Sequence, residues 1–287
     1  MNRKLLILPL ILVFFGMGCP TRISPDTKIS KQTTRTARTL HPYQVEVGLG
    51  FLVPRQEDLG VSLPVRVGLP AHLEVRSNVA HFLFGVPNAA LEYQFHESES
   101  MIWSGAIGGL WLHPPFMTIL PDALKDSLGD VHIFSIPVEL TGTFPFTDWF
   151  ELSTRLVYTH SSLVGSFSDG SSGFSGSIGT REFAIEPVLS FKAWEYAFLT
   201  IGVEAPLYSV VPAQAGGTLE PEEGIIVGLN TQGEQELDVL GLYTTSIALE
   251  FHYGDVTRLR LYGTYGQRFL ESRTDGLIPG MELFWRF

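Results

Sequence analysis

From Tyr43 to the last residue the chain alternates apolar and polar side chains. Twelve segments carry the pattern, at about 44–53, 60–69, 71–79, 88–96, 101–113, 131–143, 149–161, 180–192, 195–207, 237–252, 257–269 and 279–287. In the second, Val61, Leu63, Val65, Val67 and Leu69 oppose Ser62, Pro64, Arg66 and Gly68. In the seventh, Phe150, Leu152, Leu156 and Tyr158 oppose Glu151, Ser153 and Arg155; in the eleventh, Leu259, Leu261 and Tyr265 oppose Arg258, Arg260 and Thr264. The last sets Met281, Leu283, Trp285 and Phe287 against Glu282, Phe284 and Arg286. Successive side chains of a strand point to opposite faces, so this period of two predicts strands with one apolar face each.

The apolar faces need either a protein core or lipid. No internal run reaches the roughly 18 apolar residues of a spanning helix, which leaves a closed barrel as the one way across a bilayer. The connections run alternately longer and short. The short ones lie near Pro70, near 97–100 and at FTDW, KAWE and YGDV. Tight turns on one side and longer loops on the other are the asymmetry of outer-membrane barrels. Trp149, Trp194 and Trp285 fall at the short-turn end of their strands and Trp103 in that half, with Trp111 alone at the other end. Such rings favour the membrane–water boundary. The expectation is an all-β fold: a transmembrane antiparallel up-and-down β-barrel of about twelve strands, with both termini periplasmic.

The chain is 287 residues long, 45% hydrophobic and 17% charged, as a folded chain is and a disordered one is not. Its formal net charge of -11 argues against nucleic acid as a partner. Arg3 and Lys4 precede an apolar run from Leu5 to Phe15, and small residues follow, so residues 1–18 read as a signal peptide. The single cysteine, Cys19, stands directly after it. This stretch resembles a bacterial lipobox, which implies an acylated Cys19 as the first mature residue; Gly18 fits that pattern, whereas Gly16 replaces the usual Leu. Gly16 and Gly18 equally suit ordinary signal cleavage. Residues 19–42 lack apolar periodicity and read as a flexible tether reaching roughly 25 Å. Residues 43–287 are the barrel.

The C-terminal GMELFWRF resembles the last strand of bacterial outer-membrane proteins, with Leu283, Trp285 and Phe287 in the signal positions. The resemblance implies the barrel-assembly machinery as a partner, outer-membrane lipid as the surroundings, and the bacterial outer membrane as the destination. The alternative is a soluble periplasmic β-sandwich lipoprotein.

If the apolar faces meet lipid, the opposite faces line a lumen. Glu46, Arg66, Glu74, Arg76 and Glu92 then point inward from the first strands, and Glu139, Glu151, Arg155, Glu186 and Glu204 from the middle ones. Glu250, Arg258, Arg260, Glu282 and Arg286 complete the set. Charges in a confined space need partners, so the lumen is either a charge-packed plug in a structural barrel or a narrow passive channel for small solutes. Glu outnumbers Arg, which weakly favours cations. A short helix is expected within 114–130, started by Pro121 and Asp122 and stopped by Gly129, with Gly/Ser-rich 162–179 and the long 208–236 as loops.

One motif suggests chemistry. His160 and Ser162, two apart at the end of the seventh strand, share its outward face. An imidazole beside a hydroxyl is the minimum for acyl transfer. The arrangement resembles the His-x-Ser motif of outer-membrane phospholipase A and the lipid A deacylases, and implies an outer-leaflet lipid hydrolase as the alternative function. The sequence departs from it in having no Asn in the following hairpin and Leu163 after the serine; Glu182, on the next strand, falls on the lumen face. The expectation is therefore no enzyme. The scattered histidines form no metal-ligand cluster, and no cofactor motif is present.

Overall fold

The computed structural model describes residues 36–52, 60–118, 120–127, 131–168, 173–222, 225–236, 243–254, 256–266 and 278–287. The predicted signal peptide and Cys19 lie outside these residues. Twelve strands form the wall: β1 (Val45–Leu52), β2 in two pieces (Gly60–Ser62 and Pro64–Leu69), β3 (Leu73–Asn78), β4 (Asn88–Glu97), β5 (Ile102–Leu112), β6 (His132–Thr147), β7 (Phe150–Ser168), β8 (Gly173–Trp194), β9 (Ala197–Glu222), β10 in two pieces (Ile225–Glu236 and Thr244–Tyr253), β11 (Thr257–Gly266) and β12 (Ile278–Arg286). Each pairs antiparallel with the next, and β12 pairs back onto β1 from Glu46↔Arg286 to Leu52↔Gly280. The wall is a closed barrel and not a two-sheet sandwich. The chain ends meet at this seam, where Val45 and Phe287 exchange backbone hydrogen bonds of 3.0 and 2.8 Å.

The barrel is apolar outside and polar inside. Leu91, Tyr93 and Phe95 of β4, Ile107 of β5, Ile136, Val138 and Leu140 of β6, Leu261 of β11 and Met281 of β12 are exposed. Glu74, Glu92, Ser104, Thr141, Glu151, Ser153, Glu186 and Glu250, on the opposite faces, are buried. In water such an exterior would be one large apolar patch; in lipid it is the surface a spanning barrel must present. At the short-turn end Phe146, Trp149, Trp194, Tyr253 and Phe287 are exposed, as the aromatic rim predicts.

Local sequence explains the departures from smooth strands. β2 breaks at Leu63, ahead of Pro64, which has no ladder donor; the Leu63 N–H donates instead to Asn78 Oδ1 at 2.9 Å. The same Asn78 oxygen caps the short helix α1 (Val79–Leu83) by accepting from the Ala80 N–H. The expected helix of the 114–130 connection is α2 (Asp122–Ser127), preceded by a 3₁₀ turn at Pro114–Phe116. Gly48 makes room for the Phe284 ring and Pro64, which a Cβ would approach to 2.8 and 2.7 Å.

The stretches read as loops, 162–179 and 208–236, are mostly strand. β7 and β8 stay in register out to Ser168↔Gly173, and β9 pairs with the outer piece of β10 from Val210↔Glu236 to Glu222↔Ile225. A hairpin that projects past the apolar band of a barrel has the same surroundings on both faces. It needs paired backbone but no apolar face, so Ser, Thr and Gly serve it and the period-2 signal vanishes.

Leu140, exposed near the middle of β6, tests the lipid-facing exterior. Leu140→Lys should destabilise the barrel by about 2–4 kcal/mol in lipid vesicles, the cost of a cation near the bilayer midplane. Denaturant titration in vesicles measures this. A change near zero, as for an exposed position in water, would contradict it.

Candidate functional site

A belt of ion pairs runs round the interior. Glu46 lies at its centre: Oε1 accepts from Arg66 of β2 at 3.2 Å, and Oε2 meets Arg286 of β12 at 2.9 Å and also Arg258 of β11. Arg66 also grips Glu74 with Nε and Nη2, at 2.7 and 2.9 Å. Arg76 reaches Glu92 at 3.5 Å and, from β3 to β6, Glu139 at 3.0 Å. Arg155 of β7 joins Glu139 at 3.6 Å and holds Glu186. Arg260 pairs with Glu282 at 3.0 Å, and Glu250 lies 3.8 Å from His252. Glu151 is fully buried, while Glu204 is half-buried on β9. The fifteen charged positions expected inside are thus buried or half-buried, and most are linked to one another. Burying them unpaired would be costly, so the partners stabilise each other chiefly by avoiding isolation.

The short-turn end holds what the sequence did not suggest. Residues read as the end of a tether lie against the barrel's inner face. Leu40 donates its N–H to Glu74 Oε2 at 2.8 Å, Thr39 to Gln94 Oε1 at 3.1 Å, and Ala37 to Thr143 Oγ1 at 2.8 Å. Ala37 and Leu40 are buried. Arg38 pairs with Glu97. The strand beneath is shaped for this segment, since a Cβ on Gly68 would stand 2.0 Å from the His41 carbonyl oxygen. The segment has no period because it is neither strand nor helix. Its side of the interaction is mostly backbone N–H, which no residue type announces. Gln94 and Thr143 do fall on lumen faces by alternation, but neutral residues gave no reason to single them out.

Between this segment and the wall is a cavity of about 290 Å³, lined by Arg38, His41, Arg66, His72, Glu97 and Arg286 among others. Among the described residues, the non-glycine positions with positive φ are Tyr43 at 67°, Ala71 at 61° and His72 at 58°. Two of them line the cavity and the third follows its lining residue Pro42. Each such conformation costs on the order of 1–3 kcal/mol and persists where the surroundings impose it.

His160 and Ser162 are where alternation places them. His160 pairs in register with Ile136 and Arg181, on the same side as exposed Tyr158, and its ring centroid is 6.0 Å from that of Phe134. Ser162 lies opposite Phe134 and Gly179. Glu182 pairs with Thr159, on the other side of the wall. Among the described residues, His160 has no hydrogen bond to Ser162 or to a carboxylate, and no group of His, Cys, Asp and Glu is arranged to hold a metal. At the seam, Leu283 and Trp285 pair with Leu49 and Val47, and Phe287 is exposed.

No protein-family model and no curated protein matches the chain. Among solved structures it is similar to the Pseudomonas putida toluene transporter TodX, at 11% identity over 93% of each chain with a TM-score of 0.38. It is also similar to CdiB from Acinetobacter baumannii, at 10% identity over 86% of this chain and 60% of that one, TM-score 0.35. The ferric citrate transporter FecA matches at 10% identity over 85% of this chain and 42% of that one, TM-score 0.36.

Gly68→Val should push residues 36–41 off the wall without breaking it. The expected result is faster tryptic cleavage at Arg38 in a barrel that still shows heat-modifiable mobility. Cleavage at the wild-type rate would mean that the segment is not held there.

Proposed function

We propose that the protein is a bacterial outer-membrane barrel serving as a narrow passive channel for small polar solutes, constricted at its short-turn end by its own residues 36–41. In this reading the signal peptide directs export, the short turns and both termini face the periplasm, and an acylated Cys19 anchors the chain in the inner leaflet. Phe287 and its row carry the assembly signal. The observation that carries the channel reading is water access to a closed, polar interior: inside the wall, Arg66, Arg76 and Arg155 keep 22, 29 and 31% of their side-chain surface exposed. An interior filled like a protein core would cover them. The density of ion pairs favours a second reading, a structural barrel without conduction. His160 and Ser162, lacking an orienting partner for the imidazole, lend no support to hydrolysis.

Planar-bilayer recording separates the two readings. The mature chain should give small steady conductances, and deletion of residues 36–41 should raise them severalfold. Silence of both proteins, correctly folded, would establish the structural barrel instead.

The anchor has its own test. Palmitate should label the wild-type protein and not Cys19→Ser. An unlabelled wild type would leave ordinary signal cleavage.

A further inference from the structure

Counting charges gives an interior with more Glu than Arg, and so a weak preference for cations. Accessibility reverses this at the mouth. The cavity there is lined by three guanidinium groups, Arg38, Arg66 and Arg286, by two imidazoles, His41 and His72, and by one carboxylate, Glu97. The carboxylates that balance Arg66 and Arg286 lie behind them. Glu46 and Glu74 are 1 and 0% exposed, whereas Arg66 and Arg286 are 22 and 20% exposed. A solute in the cavity therefore meets the cationic side of each pair first.

Glu97 does not undo this. One of its oxygens accepts from Arg38 and the other from Gln94 Nε2 at 2.7 Å. Donors remain to be used. Among the described residues Arg286 gives Nε and Nη2 to Glu46 and nothing from Nη1, and Arg38 gives only Nη1 to Glu97, which leaves its Nη2. A guanidinium has five N–H donors and no acceptor, and an imidazole N–H donates in either protonation state. The volume, about 290 Å³, suits a small ion with part of its water shell. Confinement between low-dielectric walls strengthens the preference for one sign of charge.

We propose that this cavity is an anion-selecting site, taking small inorganic anions such as chloride or phosphate, with Arg38, Arg66, Arg286 and His72 setting the selectivity. The proposal rests on the channel reading and specifies its solute class.

The test is the reversal potential of the full mature chain in planar bilayers under a potassium chloride gradient. Wild type should be chloride-selective, by about threefold or more for a site biased to one sign of charge. Two variants leave the Glu46 cluster intact. Arg38→Gln removes a cation and frees Glu97, and His72→Asp puts a carboxylate at a turn position whose positive φ Asp tolerates. Each should shift the ratio toward potassium, with folding checked by heat-modifiable mobility. A potassium-selective wild type, or a chloride preference unmoved by both variants, overturns the anion site while leaving the channel standing. A folded barrel silent under all conditions overturns the channel reading and the site with it.

Discussion

One buried carboxylate joins the two ends of the chain. Glu46 is the second residue of β1 and faces arginines from β2, β11 and β12, the strand beside β1 and the last two strands of the sequence. The seam between β1 and β12 brings together residues 240 apart, and loop closure of that length supplies no stability of its own. In lipid the seam must close, because an open edge would leave unpaired backbone groups with no water to satisfy them. A carboxylate shared by three guanidinium groups also punishes slippage. A shift of β12 by one residue would turn Arg286 outward and leave buried charge without its partner. The same cluster fixes Arg66, which holds Glu74, which in turn accepts from Leu40. Closure of the wall and the seating of residues 36–41 against it are thus one connected set of interactions.

The wall was legible in the sequence because an apolar exterior and a polar interior impose a strict rule. Val61 to Leu69, Phe150 to Tyr158 and Leu259 to Leu261 each face a single solvent on each side, so period two appears unmixed. Where the surroundings become the same on both faces, the rule ends and so does the signal. That is why Ser162 to Ser168 and Gly173 to Gly179 read as a loop although they form a regular ladder. The Leu63–Pro64 break and the Asn78-capped helix α1 depend on single side-chain bonds that no periodicity reports.

The interior was legible by position and not by arrangement. Alternation alone brings Glu46, Arg66, Glu74 and their counterparts to the inner face. It is silent on depth, and depth separates the charges there. Around the cavity the carboxylates of Glu46 and Glu74 lie against the wall, while the longer stems of Arg66 and Arg286 carry their charge toward the axis and keep some water. A count of Glu against Arg weighs the two equally and says nothing of which of them is the more exposed. The segment from Thr36 to Pro42 was misread for a different reason. Its hold on the barrel comes from its own backbone N–H groups and from a glycine across from it, Gly68, features that composition describes only as an unstructured tether.

The two ends of the barrel are built to different standards. At the long-strand end β7 to β9 continue as paired wall, a ladder whose outer part in β7 and β8 is rich in Ser and Gly. At the short-turn end the backbone adopts positive φ at Tyr43, Ala71 and His72, a carboxylate is shared by three arginines, and an irregular segment is seated in a groove that a methyl group would fill. Strain persists only where several interactions agree on it. Nothing in barrel closure requires a tether to be drawn inside, since the Val45–Phe287 backbone pair already joins the ends. Its hydrogen bonds and the strain beside it instead hold Arg38, His41 and His72 in fixed places around one cavity, which is what a channel of the kind proposed needs in order to discriminate among solutes.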